Sequence, residues 1–129
     1  MTARILVLDD EEDILEVFRL ILEPEGYEVH VAQQVFDDLA DIERLAPDLI
    51  ILDLVIGSQQ DGHQMLLRLK QHPATASIPL ILCTAMQNGT SEHEEELNKI
   101  PRLEKPFDVD ELLRMIKQLL SSSPSPQQP

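Results

Sequence analysis

The chain alternates five times between a short apolar segment and a longer amphipathic one. The apolar segments are rich in Ile, Leu and Val and have the length of buried strands. They cover residues 4–8, 27–32, 49–52 and 78–83, with a weaker fifth around Leu103. Such alternation favours parallel strands joined by right-handed crossovers, with helices on both faces. The sequence therefore predicts an α/β domain built on a doubly wound parallel sheet.

The segments between the strands carry helical spacing and helix-ending residues. Helices are predicted over residues 13–22, 35–45, around 65–69, 91–98 and after residue 108. Pro24 and Gly26 are expected to end the first helix, and Asp108 is expected to cap the last one. Residues 55–62, which contain two glycines, are expected to form a loop, and Asn88-Gly89 a turn.

Length and the composition of the C-terminal segment indicate one domain and a tail. The 129 residues fit a single domain, which we place at residues 1–121. Residues 122–129 are rich in Ser and Pro and lack apolar residues. This segment is interpreted as a disordered tail or as a truncated linker.

The formal net charge of −14 argues against direct binding of nucleic acids or anionic membranes, since both are negatively charged. The single cysteine, Cys83, excludes an internal disulfide and favours a cytoplasmic location. Cys83 lies in an apolar segment and is interpreted as a core residue. We find no pattern typical of a signal peptide or a transmembrane helix.

Three aspartates follow predicted strands: Asp9 and Asp10 follow the first, and Asp53 the third. In parallel sheets the functional site lies beyond the carboxyl ends of the strands. Clustered carboxylates repel one another unless a cation intervenes or one is protonated. Oxygen ligands of this kind suit Mg²⁺. An alternative of equal weight is that Asp9 or Asp10 caps the next helix, whereas no helix directly follows Asp53.

Two further residues are candidates because of their positions near strand ends. Thr84 ends the fourth predicted strand, and Lys105 follows the fifth, just before Pro106. Taken alone, each has an ordinary explanation. Threonine is common in strands, and a lysine near acids can be a surface ion-pair partner.

Four segments occur together in order: LVLDDEEDIL, LIILD ending in Asp53, CTA containing Thr84, and Lys105-Pro106-Phe107. In this combination the chain resembles the response-regulator receiver family of two-component signalling, the CheY-like superfamily, over about residues 4–120. The resemblance implies a flavodoxin-like fold, with strand order 2-1-3-4-5 and five flanking helices.

The resemblance also implies a role for each matching residue. Asp53 matches the phosphoacceptor, and Asp9 and Asp10 match the acidic pair that binds Mg²⁺ together with Asp53. The main-chain carbonyl of Val55 would be a further metal ligand. Thr84 and Lys105 match the residues that contact the phosphoryl group. The implied phosphodonor is a sensor histidine kinase or a histidine phosphotransfer protein, and the implied output is contact with a downstream protein target. The domain would be a signalling module and not an enzyme.

The sequence departs from the family pattern at two places. The family carries an aromatic residue three positions before the lysine, where this chain has Arg102. We expect the usual aromatic switch to be absent, and Arg102 to pair instead with acidic residues of the Glu92–Glu96 run. After Asp53, the segment LVIGSQQDG has no proline and one extra residue, which makes the position of the Val55 carbonyl less secure.

Two other classes of protein remain open at this point. The first is a pseudo-receiver that docks partners without phosphotransfer. Arg102 and the altered loop after Asp53 favour it slightly, whereas the retained aspartates, Thr84 and Lys105 oppose it. The second is a Mg²⁺-dependent phosphohydrolase on a related sheet. Such enzymes usually have an acid/base aspartate two residues after the nucleophile, where this chain has Val55.

Overall fold

The computed structural model describes residues 2–34, 38–53, 56, 59–84, 100–104 and 107–122. Strands and helices alternate along these residues as far as the fourth strand, after which the described elements are the fifth strand and a last helix. The strands are β1 (Arg4–Leu8), β2 (Glu28–Ala32), β3 (Leu49–Asp53), β4 (Leu80–Thr84) and β5 (Arg102–Glu104). The helices are α1 (Glu12–Leu22), α2 (Leu39–Leu45), α3 (Gln59–Gln71) and α4 (Val109–Ser122), with a 3₁₀ turn at Glu23–Glu25.

The strands form one parallel sheet in the order β2-β1-β3-β4-β5. The predicted fold class and strand order are therefore confirmed. Leu8 on β1 is in register with Leu52 on β3 and with Ala32 on β2. This register brings the carboxyl ends of the three strands to the same edge of the sheet.

Successive strand residues point to opposite sides of the sheet, and apolar residues are buried on both sides. Helices therefore cover both faces. Ile5 and Val7 pack with Phe18 of α1 and Ile116 of α4. Leu6 and Leu8 are buried in a second cluster with residues of α2 and α3: Ile42, Met65, Leu66 and Leu69. Cys83 is 1% exposed, which confirms its interpretation as a core residue.

The helix ends in the structure lie close to the ends that the sequence predicts. Helix α1 ends at Leu22, Pro24 lies in the 3₁₀ turn, and Gly26 follows with a positive φ of 95°. Asp108 accepts a hydrogen bond from the Asp110 N–H through Oδ1 at 3.0 Å, as expected of a helix cap. Within the described residues, no helix is both long and apolar enough to span a bilayer.

The prediction of a loop over residues 55–62 is wrong for its second half, because α3 begins at Gln59. Gly62 lies within the helix and is buried, on the same stripe as Met65, Leu66 and Leu69. Burial of that stripe offsets the cost of a helical glycine, which is about 1 kcal/mol.

Parts of three predicted segments fall outside the described residues. The second helix, predicted over residues 35–45, is described from residue 38 and begins at Leu39. The predicted turn at Asn88-Gly89 and the predicted helix over residues 91–98 lie outside entirely, so four α-helices are seen in the described part of the chain. Residues 123–129 of the predicted tail also lie outside it.

Candidate functional site

The register of β1 and β3 places the candidate aspartates beside one another. Leu8 on β1 is in register with Leu52 on β3. The residues that follow them, Asp9 and Asp53, therefore lie side by side at the carboxyl ends of neighbouring strands. One carboxylate oxygen from each of Asp9, Asp10 and Asp53 lies within 4.8 Å of the other two. The three side chains that the sequence placed at strand ends therefore form one acidic cluster.

The cluster lies at the boundary between the core and the surface. Asp9 and Asp53 are each 1% exposed, whereas Asp10 is exposed. Buried ionised carboxylates lose hydration, and neighbouring like charges add repulsion. A divalent cation at the cluster would offset both costs.

Asp9 is held by two hydrogen bonds with the backbone of nearby elements. Its N–H donates to the Ala32 carbonyl at 3.1 Å, and its Oδ1 accepts from the Glu11 N–H at 2.9 Å. Glu11 occupies the N-cap position of α1 without a capping bond from its own side chain. The helix-cap alternative for Asp9 is thus partly realised, since its carboxylate orders the chain just before the helix. An ionised carboxylate offers about four lone-pair sites, so this bond is compatible with metal coordination.

The donor set fits a hard cation of the magnesium type. Mg²⁺ binds oxygen at about 2.0–2.1 Å, so two oxygens on one ion lie at most about 4.2 Å apart. The 4.8 Å limit of this cluster is slightly wider, and the exposed Asp10 can reach an ion directly or through a water. Mg²⁺ usually binds through one or two carboxylates and keeps several waters, which a small cluster with one exposed member allows.

The remaining candidate residues are described in part or not at all. Thr84 is the last residue of β4, and its neighbour Cys83 is in register with Asp53, so the Thr84 backbone lies at the same sheet edge. The side chain of Thr84 is outside what the structure describes, and so are Val55 and Lys105. Their assigned roles stay predictions.

Arg102 is half-buried on β5, in register with Leu82 of β4. Its neighbour Leu103 packs in the layer of α1 and α4, so the Arg102 side chain points to the opposite face of the sheet. None of the ion pairs between described residues involves Arg102. Its expected partners, the acidic residues of the Glu92–Glu96 run, lie outside the described residues.

Sequence reasoning missed one residue that helps to shape the site. Ile56 is fully buried, and its N–H donates to the Asp53 carbonyl at 3.2 Å. This contact holds Ile56 close to the end of β3, and the Ile56 side chain belongs to the core cluster beneath α3. The available signal was a β-branched apolar residue within a segment otherwise interpreted as a loop.

Comparison with proteins of known sequence gives a consistent result. The chain is 35% identical over 118 residues to the DNA-binding dual master transcriptional regulator RpaA of Synechocystis sp., covering 91% of this chain and 48% of RpaA. The chain thus spans about half the length of that relative.

Comparison with solved structures finds receiver domains of similar fold. A CheY-like response regulator receiver domain protein of Methanospirillum hungatei matches with a TM-score of 0.79 and 30% identity, covering 95% of this chain and 97% of that one. The receiver domain of NtrX from Brucella abortus matches with a TM-score of 0.76 and 34% identity, covering 92% of this chain and 99% of that one.

The model of the family described as the response regulator receiver domain matches residues 5–117, which include the acidic cluster and all five described strands except Arg4, the first residue of β1. Since that match covers most of the chain, this protein belongs to the family of response regulator receiver domains.

Proposed function

We propose that this receiver domain accepts a phosphoryl group on Asp53 and thereby switches a surface that binds a downstream protein. The donor is phosphohistidine on a sensor histidine kinase or a histidine phosphotransfer protein. The observation that carries the proposal is the position of the Asp53 carboxylate, at the rim of the sheet and within 4.8 Å of Asp9 and Asp10. We place this signalling domain at residues 1–121, with residues 122–129 as a tail or linker, and in the cytoplasm.

The proposed reaction transfers one phosphoryl group between two protein side chains. A carboxylate oxygen of Asp53 attacks phosphorus while the phosphorus–nitrogen bond to the donor histidine breaks. The bonding electron pair returns to the imidazole nitrogen, which takes up a proton from solvent. The product is an acyl phosphate on Asp53, and catalysis rests on positioning and on neutralising the charge of the phosphoryl oxygens.

The charge neutralisation requires a cation at the acidic cluster. Asp9, Asp10, Asp53 and the main-chain carbonyl of Val55 would hold Mg²⁺, which neutralises charge on the phosphoryl oxygens. Asp9 is already oriented for this task by its bonds with Ala32 and Glu11. Lys105 is assigned to the phosphoryl oxygens as a second positive charge.

The output depends on how the sheet responds to the new charge. A phosphoryl group adds about −1.5 to −2 charges and strong hydrogen-bond acceptors. The Thr84 hydroxyl is assigned to donate to it, and Thr84 is paired in register with Glu104 of β5. Movement of the β4 end would then repack the surface next to β5, where Arg102 replaces the usual aromatic residue.

One experiment separates this function from the other classes of protein. Purified protein is incubated with acetyl phosphate and Mg²⁺, and its intact mass is measured. We expect wild type to gain a single phosphoryl group, and Asp53→Asn or wild type with a chelator to gain none. No gain in wild type identifies a pseudo-receiver, and continuous release of phosphate from excess donor identifies a hydrolase. Either result rejects the proposal.

A further inference from the structure

The aromatic rings of Phe18 and Phe107 stack on each other, with their centroids 5.1 Å apart and their planes 22° from parallel. This separation lies within the favourable range for aromatic pairs, about 4.5–7 Å. Phe18 lies on α1 and is fully buried, whereas Phe107 is half-buried and lies just before the start of α4. The stack therefore joins the segment between β5 and α4 to the face of α1 that packs on the sheet.

The segment between β5 and α4 is short and is held at both ends. Glu104 is the last residue of β5, which pairs with β4. Phe107 is held by the stack, and Asp108 caps α4 with a hydrogen bond of 3.0 Å from a backbone N–H of its first turn. Only Lys105 and Pro106 separate these held residues, and three Cα steps of ~3.8 Å limit the span between Glu104 and Phe107 to about 11 Å. The position of Phe107 therefore restricts where the lysine can lie.

The other ring of the stack belongs to a helix whose start is ordered by the acidic cluster. Glu11, at the N-cap of α1, donates its N–H to the Asp9 carboxylate. Phe18 lies about 9 Å along the axis from the first residue of this helix. It packs with Ile5 and Val7 of β1, the strand that ends just before Asp9. A ring stacked on Phe18 is thus held in a defined position relative to Asp9 through both α1 and β1.

Burial of apolar surface alone does not require a ring at position 107. The Phe107 side chain is only half-buried, and a leucine in its place would also cover part of the core cluster next to α1. A stacked ring adds a preferred orientation, which an aliphatic contact lacks. Pro106 adds a restriction of its own, since a proline limits the backbone conformations of the residue before it.

We propose that the stacked pair of Phe18 and Phe107 positions Lys105, so that the lysine ammonium group meets the phosphoryl group at the acidic cluster. The inference rests on the proposed function, because it takes the role of Lys105 from there. Phe18 and Phe107 are positioning residues in this proposal, and neither touches the reacting atoms.

The first test measures the rate of phosphorylation by acetyl phosphate with Mg²⁺, followed by intact mass at donor concentrations below saturation. Phe107→Leu stays apolar but loses the ring, and it is expected to slow the reaction about five- to tenfold, because a displaced charged group stabilises the transition state less. Phe107→Tyr keeps the ring and is expected to react within a factor of about two of the wild-type rate. Equal rates in Phe107→Leu and wild type, or equal slowing in the leucine and tyrosine variants, overturn the proposal.

Leu22→Ala serves as the control for general destabilisation. Leu22 is the last residue of α1, is fully buried in the same core cluster, and loses as many carbon atoms in this substitution as Phe107 loses in Phe107→Leu. Rates are compared at a temperature at which circular dichroism shows each variant to be folded. We expect Leu22→Ala to lower the melting temperature but to react within a factor of about two of wild type. Slowing in this control as large as in Phe107→Leu overturns the proposal.

A double-mutant cycle with the lysine separates positioning from a purely structural role. Lys105→Ala removes the ammonium group and is expected to slow phosphorylation more than about tenfold. In the Lys105→Ala background, Phe107→Leu is expected to slow the reaction by no more than a factor of about two, because no charged group remains to be positioned. A further five- to tenfold loss in that background, about as large as in the wild-type background, overturns the proposal.

The stabilisation of Phe107→Leu by Mg²⁺ is expected to equal that of wild type, since the acidic cluster is unchanged. The rise in melting temperature on addition of Mg²⁺ measures it, and a smaller rise would place the effect at the metal site and overturn the proposal. Failure of the wild type to react with acetyl phosphate rejects the proposed function itself. A normal rate in Phe107→Leu while Lys105→Ala is slow rejects only the positioning role, so the two failures are distinguishable.

Discussion

The Asp9 carboxylate accepts a hydrogen bond from the Glu11 N–H at 2.9 Å while it also belongs to the acidic cluster with Asp53. One side chain thus orders the start of α1 and contributes charge to a candidate metal site. The hydrogen bond needs only an acceptor oxygen, whereas strong binding of a divalent cation also depends on the negative charge of the carboxylate. The two roles can therefore be separated by substitution.

Replacing Asp9 by Asn keeps the acceptor and removes the charge, whereas Asp9→Ala removes both. Without metal, we expect Asp9→Ala to be less stable than Asp9→Asn by about 1 kcal/mol, the usual value of a lost cap. Both variants should bind Mg²⁺ more weakly than wild type. Urea unfolding with and without Mg²⁺ measures both effects. Equal metal-free stability of the two variants would show that the bond to Glu11 is energetically unimportant.

Mg²⁺ is expected to stabilise the wild-type domain, because it binds the folded cluster and not the unfolded chain. At about ten times the dissociation constant, linkage gives about 1.4 kcal/mol, or a rise of about 5 °C in melting temperature for a domain of this size.

In Asp53→Asn the rise in melting temperature caused by Mg²⁺ should be only a small fraction of the wild-type rise. The metal-free melting temperature should increase, because one repelling charge is gone. Differential scanning fluorimetry over a Mg²⁺ titration provides the measurement, with Asp110→Asn as the control of equal charge. A rise of the same size in Asp53→Asn would place the metal elsewhere.

Acid sensitivity is expected at the edge strand β2. The hydrogen bond from His30 Nε2 to Glu28 Oε2, at 2.6 Å, holds the pKa of Glu28 below its ordinary value, and Arg4 acts in the same direction. A folded-state pKa below the unfolded value means that this contribution to stability is present above the unfolded pKa. It is lost as the pH falls below 4.5, the ordinary pKa of a glutamate side chain, and through the lower pKa of the folded state.

Glu28→Gln should therefore show a smaller loss of stability than wild type between pH 5 and pH 3, expected to be about that of one exposed interaction. Thermal unfolding at several pH values measures this difference. Glu111→Gln, at an exposed position on α4, is the control. If wild type and Glu28→Gln lose the same amount of stability over this pH range, the contact between His30 and Glu28 does not stabilise the protein in solution.

The sheet and the acidic cluster were predictable because they depend on local patterns. Runs such as residues 49–52 specify buried strands, and parallel strands bring Asp9 and Asp53 to one edge whatever their separation in the chain. The order of the strands came from the resemblance to a family, since periodicity does not distinguish one neighbour from another.

Features that depend on tertiary packing were not predictable. Gly62 was expected in a loop, yet the burial of the stripe that it shares with Met65 keeps it helical. The pocket between α1 and the end of β2, lined among others by Glu12, Glu16 and Val31, exists only because these two elements pack together, and nothing local to either segment reveals it. The buried position of Ile56 is likewise a consequence of the core beneath α3.

Arg102 is expected to take part in the switch in place of the usual aromatic residue. Its side chain is half-buried and points away from the layer of α1 and α4, toward the face on which Leu82 is buried. We expect Arg102→Ala to reduce the phosphorylation-induced changes in the amide spectrum of β4 and β5, while phosphorylation by acetyl phosphate continues. Arg114→Ala, on α4, serves as the control. An unchanged response in Arg102→Ala rejects the hypothesis.

The phosphorylated domain is expected to lose its phosphoryl group slowly. Val55 and Met86 lie two residues beyond Asp53 and Thr84, and by the resemblance to the receiver family these positions are expected to border the path of the attacking water. Both side chains are apolar and cannot orient a water by hydrogen bonding, and general-base or positioning groups typically contribute about 10²-fold or more. Val55→Asn should therefore speed hydrolysis, and Val55→Leu, which stays apolar, should not. Phosphoryl loss is followed by intact mass after removal of acetyl phosphate. Rapid loss from wild type, or equal rates in the two variants, would show that these side chains only pack the loop.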